Sequence, residues 1–205
     1  MREQQIIDVA VRVFSERGYH AASVDEIAEL AGISKPMVYL YLDSKEGLFL
    51  ACVRREAGRL GAAFREAALR ADGEAPAASP ELRLRAGLVA FFAFVAEHRE
   101  AWVVLHRQAA RVSEAANEEL GAVRGAVLEQ VAGLVRDSVP RQLGEEQTDF
   151  VAHALVGAAD QLTDWMDRHP GETPERVTSR LMNMVWVGMR DALRGDRWAP
   201  PARGC

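Results

Sequence analysis

Residues Ser23 to Lys45 read SVDEIAELAGISKPMVYLYLDSK, and this stretch decides how the rest of the chain folds. Ser23 followed three residues later by Glu26 has the spacing of a capping box. The hydroxyl accepts from the Glu26 backbone N–H, and the carboxylate reaches back to the N–H of Ser23. Val24, Ile27, Ala28 and Ala31 then recur at three- and four-residue steps, which gives one buried helical face. Gly32 stands where a left-handed residue ends a helix without a Cβ penalty. Ser34 is placed to cap a second helix, and Pro36 lies in its first turn, where a missing N–H costs little. Val38 and Leu42, four apart, form that helix's inward row. Two short helices joined by a tight glycine turn predict the hairpin that reads DNA.

Ser34, Lys35, Pro36, Met37, Tyr39 and Tyr41 are left facing outward on the second helix. The Lys35 ammonium suits a phosphate or a guanine edge, Ser34 a phosphate or base, and Pro36 and Met37 a thymine methyl. The hydroxyls of Tyr39 and Tyr41 suit phosphate oxygens. Ser44 then caps a further helix, whose first backbone N–H groups and Lys45 would make another phosphate clamp. Upstream, Ile6, Ala10, Val13 and Phe14 stripe a helix from Arg2 to Arg17 that Gly18 ends. Phe14 is the expected centre of the small core behind the hairpin.

With these residues the chain resembles the TetR-type one-component regulators. The resemblance rests on FSERGYHAASVDEIAELAGIS followed by VYLYLDSKEGL, and covers about the first quarter of the chain. In that family a Tyr, an aromatic or His two residues on, and a Lys opening the fourth helix hold the DNA backbone. These roles fall on Tyr39, Tyr41 and Lys45. Family members often carry Gly-Thr or a similar pair where this chain has Pro36-Met37, and usually Phe where it has Leu42.

The charge balance runs against a simple DNA-binding reading. The formal net charge of the 205 residues is −5, and the first fifty hold five Arg and Lys against eight Asp and Glu. Several of those acids, Asp25, Glu26 and Glu46, open helices, where the macrodipole favours them. With so few cations, few phosphate contacts per subunit and modest non-specific affinity are expected. The start MREQQIID does not resemble a signal peptide, and no apolar run reaches the eighteen or so residues a membrane span needs. Cys52 and Cys205 do not suggest a disulfide framework or zinc site. A cytoplasmic protein with no membrane association is expected.

The helical pattern runs on from Ser44 to about Leu69, and ADGEAPAASP (71–80) then reads as a loop with a turn at Asp72-Gly73. Further helices are expected from Pro80 to His98, from about Glu100, from after Ser113 to before Pro140, from about Glu145 to His169, and from Thr173 onward. The whole is read as all-α. A helix-turn-helix head (residues 1–47) is joined by a long helix to a ligand-binding and dimerisation bundle (48–197), with a flexible tail (198–205). The last two helices are apolar on more than one face, at Val156, Trp165, Met182, Trp186 and Val187, and so need more than one neighbour. In the resembling family this pair meets its copy in a second subunit, which implies a homodimer. Two recognition helices would then lie roughly 34–36 Å apart on a palindromic operator.

Enzyme chemistry finds no footing. There is no glycine-rich phosphate loop, nucleophile elbow or metal-ligand cluster, and His98 and His106 are badly spaced for a shared metal. No metal or cofactor is expected. An apolar pocket is more credible, with Phe91, Phe94, Trp102, Trp165 and Met166 as lining and His106, Gln161 and Asp164 as polar anchors. Its ligand would be hydrophobic or amphipathic, and neutral or cationic given the acidic balance of the chain, and its use as an effector site follows from the resemblance. The expected function is a ligand-responsive transcriptional repressor, released from its operator when a small molecule binds. The alternative is a helical protein-interaction module that does not bind DNA.

Overall fold

The computed structural model describes residues 2–74, 79–138 and 144–193, and no strand occurs among them. The helices are α1 (Arg2–Arg17), α2 (Val24–Leu30), α3 (Lys35–Leu42), α4 (Lys45–Glu74) and α5 (Pro80–Glu97). Then come α6 (Arg99–Trp102), a π-helical segment (Val103–Gln108), α7 (Ala109–Val112), α8 (Glu114–Ser138), α9 (Glu145–Asp167) and α10 (Pro174–Leu193). They fall into two compact units. The first takes Met1–Ala67 with Ala93–Val127, and the second Ala68–Phe92 with Leu128–Cys205.

In the first unit the stripe on α1 is buried as its spacing requires: Ile6, Ala10, Val13 and Phe14 are all inaccessible. Phe14 sits at the centre. Its ring meets that of Phe49 edge-on at 5.2 Å and stacks near Tyr19 at 5.9 Å. Leu48, Phe49, Cys52 and Val53, from the start of α4, complete this core. Leu48, Phe49 and Val53 each contribute roughly 1.5–3 kcal/mol on burial. Burial also drives the Cys52 thiol far above its usual range.

Two polar features of this unit were not expected. Glu56 is almost wholly buried, and its carboxylate accepts from Arg55 Nε at 2.7 Å and Arg59 Nη1 at 3.2 Å. Arg55 in turn donates to Asp8 on α1 at 2.6 Å. The second feature is the π-helical turn inside the segment read as one helix from about Glu100. At its end the Gln108 side-chain nitrogen donates to the Phe14 carbonyl at 2.7 Å.

The long helix α4 outlasts its sequence reading. It continues past Leu69 to Glu74, so Asp72 and Gly73 are helical, not a turn. Ala67 and Ala71, one turn apart, are both buried there, and a lone glycine costs a helix only about 1 kcal/mol. Packing therefore outweighs the local signal.

In the second unit α9 packs on α10. Leu155, Met166, Val177 and Leu181 are buried, with Thr148 and Thr163 bonded back to carbonyls of Gly144 and Asp160. No helix among the described residues is long and apolar enough to cross a membrane. The expected tail (198–205) and the side chains at Trp186 and Val187 lie outside the described residues.

Candidate nucleic-acid interface

The turn between α2 and α3 is built by backbone chemistry that the sequence signals directly. Gly32 has φ +67°, its N–H donates to the Glu29 carbonyl, and that of Ile33 donates to Ala28, each at 3.0 Å. These two bonds are the helix-ending pair of a Schellman motif, which needs a left-handed residue at Gly32. The N-terminal cap of α2 differs from expectation. The Ser23 hydroxyl accepts from the N–H of Asp25 at 3.1 Å, not from Glu26, so no capping box closes. The Glu26 carboxylate turns instead to Arg17 at the end of α1, 3.5 Å away. Ser34 is the N-cap residue of α3, but its hydroxyl makes no capping bond; its carbonyl accepts from Met37 and Val38.

On α3, Val38 and Leu42 face the core and are buried. Ser34, Lys35, Pro36, Tyr39 and Tyr41 are exposed, and Met37 is half-buried. Leu40 is exposed as well, at 73%, more than either tyrosine. Leu40 is not among the outward residues expected above, although it follows Pro36 by four residues and so shares its face. A large aliphatic side chain held in water beside lysine and tyrosines adds a candidate contact for a thymine methyl.

The lysines are held in different ways. Lys35 Nζ lies 2.9 Å from the Asp25 carboxylate on α2, and that bond and charge raise its pKa. Lys45 donates to the His20 carbonyl at 3.2 Å, with its ammonium 4.8 Å from the centre of the Tyr19 ring. Partial burial, reinforced by Glu46, raises the Tyr19 pKa and keeps that hydroxyl neutral. Ser44 caps α4 as expected, its hydroxyl accepting from the Gly47 N–H at 2.9 Å. Lys35, Tyr39, Tyr41 and Lys45 thus belong to one unit and sit on α3 and the first residue of α4.

The expected ligand residues divide between the two units. Phe94, Trp102 and His106 belong to the first, where Trp102 is buried and stacks on His106 at 4.8 Å. Phe91, Gln161, Asp164, Trp165 and Met166 belong to the second. There Phe91 and Met166 are buried, Gln161 is exposed, and Trp165 stacks on His169 at 4.2 Å. The first unit holds an open cleft of about 400 Å³, lined largely by charged groups including Asp8, Arg55, Glu56 and Arg59. None of the expected ligand residues lines it.

Comparison with known proteins extends the picture to most of the chain. Residues 6–52 match the model for bacterial regulatory proteins of the tetR family. Residues 80–188 match the model for the tetracyclin repressor-like C-terminal domain. The HTH-type transcriptional activator FasR of Mycolicibacterium smegmatis is 31% identical over 92% of this chain and 83% of its own length. A TetR-like transcriptional regulator from Rhodococcus sp. RHA1 superposes with a TM-score of 0.78 at 37% identity, covering 92% of this chain and 96% of that one. The regulator FadR from Bacillus subtilis, solved in complex with stearoyl-CoA, shares the fold with a TM-score of 0.73 at 19% identity. That match covers 89% of this chain and 96% of FadR.

Proposed function

Since this chain belongs to the tetR family of bacterial regulatory proteins, DNA-binding transcription regulators of helix-turn-helix type, we propose that it is a homodimeric repressor. It binds a palindromic operator and is released by a small hydrophobic or amphipathic ligand. The observation that carries this reading is the exposed face of α3, where Lys35, Tyr39, Leu40 and Tyr41 stand in water above the buried Val38 and Leu42. Ser34, Lys35, Pro36, Met37, Tyr39, Tyr41 and Lys45 are the proposed DNA contacts. Residues 1–47 act as the head and 48–197 as the ligand-binding and dimerisation body. It works in the cytoplasm, is not an enzyme, and needs no metal or cofactor.

Dimerisation is supported by the exposed Phe150 on α9 (73%) and Met184 on α10 (67%), large apolar side chains that a second copy would cover. The proposed ligand residues are Phe91, Phe94, Trp102, His106, Gln161, Asp164, Trp165 and Met166. The stearoyl-CoA of the FadR complex suggests a long-chain acyl thioester, whose coenzyme is anionic, in place of the neutral or cationic ligand expected from the charge balance. Whatever the ligand, it must bind the DNA-incompetent state more tightly than the competent one, or it shifts nothing.

The test is an anisotropy titration with an operator selected from random duplexes by the protein itself, followed by acyl-CoA of increasing chain length. Release by long chains and not by free coenzyme A supports the reading. Retention of DNA at saturating long-chain acyl-CoA removes that ligand class. The relative named as an activator favours a second sense of control, in which the bound regulator raises transcription. A promoter–reporter assay in the presence and absence of the protein separates the two.

A further inference from the structure

Lys35 and Lys45 are the chain's only lysines; every other basic charge is carried by arginine or histidine. Their partners differ in kind. Lys45 is held by neutral groups, the His20 carbonyl and the Tyr19 ring, and among the described residues no acid pairs with its charge. Lys35 is held by a carboxylate, Asp25, at 2.9 Å. Both members of that pair are largely exposed, with side-chain accessibilities of 44% and 68%. An exposed pair of this sort contributes little stability and exchanges readily for a better partner. The Asp25 backbone is fixed, because its N–H is committed to the Ser23 hydroxyl at 3.1 Å.

We propose that Asp25 is a specificity-determining residue that withholds Lys35 from duplex DNA in general and yields it to the operator. The proposal rests on α3 being the DNA-reading helix. On arbitrary DNA, Lys35 has only phosphates to meet. Trading one anionic oxygen for another gains little, and the Asp25 carboxylate remains as a like charge beside the backbone. On the operator, Lys35 gains a base edge, and the contacts made by its neighbours hold the helix in place while it does so. Asp25 therefore lowers affinity for arbitrary duplex more than affinity for the operator. Lys45, with neutral partners, serves every sequence alike. This gives the acidic head a purpose: it trims the sequence-independent electrostatic term, which otherwise dominates binding.

The experiment uses the full chain as wild type, Asp25→Asn, Lys35→Met and the double variant. Asparagine keeps the side chain's shape, and the bond to Ser23 is made by the backbone, so the α2 cap survives; matching thermal melts check this. Binding is measured on the selected operator and on a random-sequence duplex over a range of salt. Asp25→Asn should bind the random duplex several-fold tighter and steepen its log K against log salt slope by about one unit per subunit engaged. The operator-to-random ratio should fall, and in the Lys35→Met background the same substitution should leave the slope unchanged. An equal gain with Lys35 absent would show only the removal of a negative charge, and would overturn the proposal. So would weaker binding of random DNA by Asp25→Asn. Failure of the wild type to bind any duplex at low salt would instead overturn the assignment of α3 as the reading helix.

Discussion

The Gln108 carboxamide donates to the Phe14 carbonyl at 2.7 Å, so a residue of the π-helical segment grips the last turn of α1. The Gln108 side-chain oxygen, Oε1, is buried with no partner among the described residues, and Phe14 O also receives the Gly18 N–H at 2.9 Å. Gln108→Leu removes one bond but also one orphaned acceptor, and should change stability by no more than about 1 kcal/mol. Gln108→Glu sets a carboxylate against a carbonyl oxygen and should cost about 2–3 kcal/mol at pH 7. Such a carboxylate has its pKa raised, so the loss should shrink as pH falls and the acid becomes a donor. Urea unfolding at pH 7 and pH 4.5 reads both effects; a Glu variant as stable as wild type at pH 7 would refute the buried contact.

Glu56 depends on its arginines. With Arg55→Met the buried carboxylate keeps only Arg59, and a loss of about 3 kcal/mol is expected. Converting both residues, Arg55→Met with Glu56→Leu, should recover most of it, because no buried charge is then stranded. A double-mutant cycle by chemical denaturation measures the coupling, and additive losses would show that the pair is not coupled.

The turn from α3 into α4 is unusually tight. Asp43 has φ +54° and ψ −47°, and the Ser44 N–H donates to the Leu42 carbonyl across it at 2.5 Å, as in a γ-turn of the strained hand. A Cβ on Gly47 would lie 2.5 Å from that same carbonyl oxygen. Gly47→Ala should therefore destabilise by about 1–3 kcal/mol. Asp43→Gly should stabilise by up to about 1 kcal/mol, less what glycine loses in the unfolded chain. Differential scanning calorimetry orders the three proteins. A Gly47→Ala melt equal to that of wild type would show that the turn opens freely.

Much of the head was legible because its signals are local. The 3.6-residue stripe on α1, Gly18 and Gly32 at positive φ, Pro36 in the first turn of α3 and the Ser44 cap each act within a few residues, and each stands where the spacing placed it. What the sequence did not disclose depends on groups brought together by tertiary structure. Glu26 forsakes its own helix end for Arg17, nine residues away, and Lys35 finds Asp25 ten residues back. Burial of Ala67 and Ala71 carries α4 through Asp72-Gly73. Leu40 is a different case. Helical spacing alone sets it beside Pro36, but a leucine held in water has no reason in the isolated chain and gains one only from what the helix meets.

Lys45 meets phosphate in this account, whatever the bases. Lys45→Ala should weaken operator and random duplexes by the same factor and flatten the salt slope by about one unit per subunit engaged. Salt-dependent anisotropy on both duplexes measures it, and an unchanged slope would remove Lys45 from the phosphate contacts.

The chain's two lysines make the most direct measurement possible without any mutation. Acetylation by an amine-reactive ester, followed by mass spectrometry, reports Lys35 and Lys45 separately. With α3 seated in the groove, saturating operator duplex should slow labelling of both residues at least several-fold, and random duplex should protect Lys45 more than Lys35. Labelling of Lys35 and Lys45 at the same rates with and without bound operator would contradict the central claim that this face of the head lies against DNA.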